Sequence, residues 1–398
     1  MRHNPILIDI GALSCACTER ALESLAKSMA GEDETGPDIW ALHESPFIQS
    51  LIELFSSRGL LRLEKVKTEL NAWLAGKHHK PMGKAAPAPA PPPIASTLYW
   101  TPDELSLVRI YLENLSPGSF QLSDWALVVD YLVQRYLPAG EMASEAEWLS
   151  VRAAIMGKVQ ASLDGKIGLP EADALMGALP LTAHAAQQAF DFDDNTLMNH
   201  ILQYGRLHCV NHVTQLRENV RHRLKRVILD DLEQKMIGTP GPQSTLQTQL
   251  FDAFSTLNRD WRRIAVTEAG ENANQGLIAS LAPGTKVRRM EQYRGACPYC
   301  RKISGRVLTV IDPKARNKNG ETQVWVGKNN IGRSAAARKR IGNALVERDA
   351  AERWWVPAGT VHPHCRGMWS VVDGPVAGAD PQFQVWLEKH LSQKNEIR

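Results

Sequence analysis

Cys297-Pro-Tyr-Cys300 and, some sixty residues later, His362-Pro-His-Cys365-Arg366 decide how the C-terminal part of this chain is read. One is a Cys-x-x-Cys arm, the other a His-x-x-Cys arm. Together they offer the four donors that a closed tetrahedral zinc site takes, and a two-residue spacer lets one tight turn present both donors of an arm. The spacing predicts one structural Zn²⁺ on Cys297, Cys300, His362 and Cys365, with His364 competing for the place of His362. Four protein ligands leave no open position for a catalytic water. A redox reading of Cys-x-x-Cys would need a thioredoxin-like βαβ setting, which the flanking sequence lacks.

Short β-prone runs surround the two arms: Val287, Val307-Leu-Thr-Val-Ile311, Val324-Trp-Val326 and Trp354-Trp-Val356. Upstream of Pro283-Gly284 the periodicity is helical. Leu250, Phe254, Leu257, Trp261 and Ile264 form one stripe of a helix expected from Leu246 to about Ala269. A long amphipathic helix runs through Leu207, Val210, Val213, Leu216, Val220, Leu224 and Val227 and ends before the Gly238-Thr-Pro-Gly-Pro242 loop. On it, His208 and His212 stand one turn apart without an obvious third donor, and read as solvated.

Thr101-Pro102-Asp103-Glu104 and Ser144-Glu145-Ala146-Glu147 both read as capping boxes, and Asp124 leads a buried helix that stops near Pro138. Phe47 to Phe55 and Leu63 to Leu74 read as two helices separated at Gly59. A Pro/Ala tract from Lys80 to Pro93 favours an extended spacer. Arg333 to Arg340 is expected to open a helix, and Asp380-Pro381 a last short one.

The fold class that follows is α+β: mainly α-helical N-terminal and middle regions with a small zinc-stabilised α+β C-terminal domain. The expected divisions are a helical unit (1–80), a linker (81–96), a helical middle domain (97–243), the zinc-binding domain (244–375) and a helical tail (376–398).

Composition narrows the function classes. With 43% apolar and 22% charged residues the chain has the makings of a packed core, and no apolar run reaches the roughly 18 residues of a membrane span. Six cysteines in 398 residues are too sparse for a disulfide framework, so Cys15, Cys17 and Cys209 read as incidental thiols. From Arg259 to Leu345 stand eighteen Lys and Arg against six Asp and Glu, a net +12 that leaves −9 on the rest of a chain totalling +3. Such asymmetry suits a polyanion partner. Arg288, Arg289, Arg338, Lys339 and Arg340 are the candidates for nucleic-acid phosphates, with Trp325, Lys328, Asn329 and Asn330 beside them.

The helix ending Trp261-Arg-Arg-Ile-Ala-Val-Thr-Glu268-Ala, followed by Asn272, Asn274, Cys297-Pro-Tyr-Cys300 and Trp355-Val-Pro-Ala-Gly-Thr-Val-His362-Pro-His-Cys365-Arg366, resembles the phage Mu F-like minor head protein family. The likeness covers roughly residues 245–372. His364 stands where that family usually has asparagine, and Gly367 where it has its last cysteine. The resemblance implies a virion or procapsid component of a tailed phage or prophage. Its partners would be portal and capsid or scaffold proteins and, non-specifically, phage DNA, with no membrane and no small-molecule substrate. It would reside in the phage head, and in the host cytoplasm during assembly. The alternative is a zinc-containing DNA-binding or nuclease-like protein. No Gly-x-Ser-x-Gly, Walker A, His-Glu-x-x-His or dinucleotide fingerprint is present, and a non-enzymatic role is expected.

Overall fold

The computed structural model describes residues 46–80, 99–162, 177–190, 196–237, 246–291, 296–373 and 381–392, with Pro92 and Leu175. The first forty-five residues, the remainder of the Pro/Ala linker, Cys15, Cys17 and the Gly238–Pro242 loop lie outside them. A mostly helical N-terminal and middle region is followed by a mixed α+β region at the C-terminal side.

The helices are α1 (Pro46–Leu74), α2 (Pro102–Asn114), α3 (Leu122–Tyr136), α4 (Ala139–Ser162), α5 (Ala183–Phe190), α6 (Thr196–Ile237) and α7 (Leu246–Ala279). β1 (Lys286–Met290), α8 (Pro298–Ile303), β2 (Val307–Val310), β3 (Gln323–Val324), β4 (Arg338–Ile341), β5 (Ala344–Glu347), β6 (Met368–Asp373) and α9 (Pro381–Ser392) follow. The chain forms two compact units. One takes in Met1–Phe55, Ala146–Cys209 and Arg263–Arg398, the other Ser56–Glu145 and Val210–Arg262.

In the second unit the Thr101 cap forms as read: its hydroxyl accepts from the Glu104 amide at 3.2 Å, and the Glu104 carboxylate accepts from the Thr101 amide at 2.7 Å. The Ser144 box does not. α4 already begins after Pro138, and Ser144 lies inside it, donating back to the Gly140 carbonyl at 3.0 Å. Gly59 does not break α1 either. It faces Trp261, where a Cβ would come 1.8 Å from the indole, so the glycine is there for ring contact. On α6, Val213, Leu216, Val220 and Leu224 are buried as the stripe predicts, while Leu207 is exposed.

In the first unit α7 runs ten residues past the expected Ala269. Asn272 and Asn274, placed after the end of the expected helix, lie inside it and donate to the carbonyls of Glu268 and Gly270 at 2.7 and 2.9 Å. Gly276 abuts the Ala154 carbonyl, 1.9 Å from where its Cβ would lie. β1 to β3 and β6 form one sheet in the order β3-β2-β1-β6, with β1 antiparallel to both neighbours and β2 parallel to β3. Val287, Leu308, Val310, Val324 and Trp369 bury one face, and Lys286, Arg288, Val307 and Ser370 lie exposed along the other. The expected helix at Arg333–Arg340 is instead a separate antiparallel hairpin, β4-β5. Gly342 and Asn343 make the turn between paired Ile341 and Ala344, a two-residue loop that overrides the helical look of the alanines.

Candidate metal centre

Cys297 caps α8. Its sulfur accepts from the Cys300 amide at 3.4 Å, and Pro298 occupies the first helical position, where a missing N–H costs nothing. That single turn turns both thiols of the first arm one way. The second arm arrives on the loop before β6 and brings His362 Nε2 to 3.4 Å from Cys300 Sγ. His362 Nδ1 lies 2.9 Å from the Pro363 carbonyl. A neutral His362 that uses that oxygen carries its proton on Nδ1, which would leave the Nε2 lone pair for a metal.

Two groups of donors result. Cys297, Cys300 and His362 form an outer trio, and Glu291, Cys300 and Cys365 an inner one, the donor atoms within each lying no more than 4.8 Å apart. Cys300 belongs to both. These clusters of Cys, His and Glu are positioned to chelate a metal ion. The donors are mostly sulfur and imidazole nitrogen, which suits zinc and not the oxygen-seeking magnesium or calcium. The two arms therefore come together although sixty residues of chain separate them: three of the expected ligands, Cys297, Cys300 and His362, share one trio, and Cys365 falls in the other with Cys300 and Glu291.

His364 belongs to neither trio. It has left-handed backbone (φ 69), its amide donates to Thr267 Oγ1 at 2.7 Å, and its imidazole meets Arg366. Asparagine and histidine are among the few side chains that tolerate such φ values, which explains a histidine where the resembled family has asparagine.

The electrostatics fit ligand thiols. Burial opposes ionisation of Cys365, but Cys300, the Arg289 guanidinium and the amides of Val361 and Gly367 hold it well below the usual thiol range. Burial likewise opposes ionisation of Cys297, and the Cys300 amide with His362 outweighs it. By contrast Cys209, buried beside Glu268, is pushed well up, as an inert core thiol should be.

Helix α7 supports the second arm by a polar stripe that the sequence reading passed over. Thr267 takes the His364 amide. Glu271 accepts from the Thr360 amide at 2.5 Å and the Thr360 hydroxyl at 2.9 Å, and Asn274 donates to the Gly367 carbonyl at 2.8 Å. Gln275 reaches the Gly327 amide at 2.9 Å. Polar residues at i, i+4, i+7 and i+8 on a helix that is otherwise buried were the available signal. Trp354 stacks on His362 with ring centroids 5.9 Å apart and meets Tyr299 edge-on. His208, read as solvated, instead lies 3.1 Å from the fully buried carboxylate of Glu268.

The candidate phosphate-binding residues fare unequally. Arg289 is fully buried: Nε donates to Glu291 Oε1 at 2.8 Å, Nη2 lies 3.7 Å from Cys365 Sγ, and the guanidinium sits over Trp369 at 5.3 Å. It cannot reach a nucleic acid. Lys328 is also enclosed, donating to the Gly320 and Gln323 carbonyls between the faces of Trp325 and Trp355, so neither it nor buried Trp325 is available. Arg338 and Lys339 pair with Glu347 at 2.9 Å and Glu352 at 2.5 Å. Arg288 and Arg340 are exposed, and neither has an ion-pair partner among the described residues.

Among the described residues no helix is long and apolar enough to cross a membrane. No protein-family model, curated protein or solved structure matches the chain.

Proposed function

We propose that this chain is a minor head protein of a tailed phage or prophage, acting in head morphogenesis, and that its C-terminal α+β region is closed by one structural zinc on Cys297, Cys300, His362 and Cys365. The observation that carries the metal reading is the meeting of the two arms, with His362 Nε2 3.4 Å from Cys300 Sγ. When bound, zinc would supply a cross-link between segments distant in sequence, and no open coordination position for catalysis. The head-protein reading rests on the sequence resemblance over residues 245–372, whose helix and two arms are the elements that pack together around this centre.

A nuclease reading needs a histidine base beside the metal. His364, the spare imidazole of this region, is engaged by Arg366 and held in position by Thr267, which favours the non-enzymatic reading. Of the candidate phosphate-binding residues, Arg288 and Arg340, with neighbouring Lys286, are the ones left for contact with DNA, since Arg289 is buried and Arg338 and Lys339 are already paired. It would be to phosphates and so without sequence preference.

The test is purification of the tagged chain from cells assembling heads of its own phage. Portal or procapsid protein should co-purify, and the purified chain should not cleave DNA in magnesium. Absence from heads together with metal-dependent nicking would replace this reading with the nuclease one.

A further inference from the structure

We propose that Arg289 is the positioning cation of the metal centre, its guanidinium taking the cation place in the inner trio of Glu291, Cys300 and Cys365 and tightening the hold of the outer ligands on zinc. This rests on the metal reading above.

The two trios share Cys300 but differ in what already faces them. The outer trio offers two thiols and the Nε2 edge of an imidazole, with no guanidinium paired to any of them as Arg289 is to Glu291. In the inner trio Glu291 is bonded to Arg289 at 2.8 Å, and both side chains are fully buried. A metal placed there would meet a guanidinium with no solvent between them. The inner trio therefore already has its cation, and zinc belongs with the outer trio, drawing in Cys365 through the shared neighbour Cys300.

The charge count says why an arginine is kept there. A dication facing three thiolates and the Glu291 carboxylate leaves the buried pocket at −2 without the guanidinium, and at −1 with it. Arg289 acts on the sulfurs directly, through Nη2 at 3.7 Å from Cys365. Glu291 holds the guanidinium by Nε, and the absence of a side chain at Gly367 makes room for that carboxylate, since a Cβ would lie 2.0 Å from Glu291 Oε1. For packing alone an arginine is a poor choice. Its Nη1 is buried without a hydrogen-bond partner among the described residues, and well-packed apolar replacements of buried ion pairs are often neutral or stabilising.

Tuning and packing can thus be separated. The full chain would be loaded with cobalt(II) in place of zinc, as wild type and as the paired variant Arg289→Met/Glu291→Leu. Wild type should show thiolate-to-cobalt charge-transfer absorption; its absence would defeat the metal reading itself. Given that band, the paired variant should shift it to lower energy: removing Glu291 with Arg289 leaves the pocket at −1 as in wild type, and what Cys365 has lost is the N–H donor 3.7 Å away. Zinc competition against a chelator should give roughly a 10- to 100-fold loss of affinity, the usual range for a lost supporting contact. A band and affinity identical to wild type would reduce Arg289 to packing. Loss of the fold in the metal-free paired variant alone would assign it to folding, and either result overturns the proposal. Arg289→Lys is the check on charge, and should recover most of the band position.

Discussion

β1, Lys286-Val-Arg-Arg-Met290, and β4, Arg338-Lys-Arg-Ile341, are both short basic strands, and in sequence they suggest the same use. β1 lies at the interior of a four-stranded sheet with one face on the core, so its alternation sends Val287 and Arg289 inward and Lys286 and Arg288 outward. β4 belongs to a two-stranded hairpin with no layer over it among the described residues, and two of its three cations, Arg338 and Lys339, are answered by Glu347 and Glu352 nearby. The same residue types become a buried neighbour of a cysteine in one place and a partly neutralised surface in the other. What separates them is the layer each strand packs against, which no local count of charge reports.

The comparison breaks most readily at Arg289. Arg289→Ala alone strands the Glu291 carboxylate in the core and should destabilise the chain by about 3–5 kcal/mol in denaturant unfolding. A loss no larger than that of Arg338→Ala would mean that the two strands are equivalent after all.

Gly367→Ala probes the same interior from the other side. Its Cβ would press on Glu291, and overpacking of this kind costs about 1–3 kcal/mol, readable as a fall in the urea midpoint.

A third prediction concerns Lys328, enclosed by Trp325 and Trp355. Burial lowers it to about 7 from an ordinary value of 10.5. Between those values the unfolded chain binds more protons than the folded one, so this lysine makes stability rise with pH across that window. Lys328→Met should flatten the increase in Tm between pH 7 and pH 9.5. An equal increase in both proteins would show that Lys328 does not titrate there.

The smallest effects belong to β4. Arg338→Ala should move Tm by no more than a few degrees, because exposed ion pairs contribute little. Should the chain bind DNA at low salt, Arg288→Ala ought to flatten the salt dependence of affinity by close to one unit, and Arg338→Ala by less.

Much of the centre was legible because it is written locally. Matched two-residue spacers announce both arms, and a threonine three residues before glutamate announces the Thr101 cap. Arg288 and Arg289 were not separable, because alternation in a five-residue strand fixes which residues share a face but not which face is buried. The end of α7 was missed because asparagines that usually favour turns here bond to carbonyls four residues back. The β4-β5 hairpin was legible in Gly342-Asn343, a two-residue turn signal that the neighbouring alanines outweighed. Nothing local tells that Glu291 would meet Gly367. That contact exists only once β1 and β6 are paired.

Zinc-edge X-ray absorption on the purified chain tests the central claim most directly. One zinc per chain is predicted, with three sulfurs at about 2.3 Å and one nitrogen at about 2.0–2.1 Å, and with metal content falling sharply in Cys300→Ser. A chain purified without zinc, or a shell of light atoms only that Cys300→Ser leaves unchanged, would contradict it.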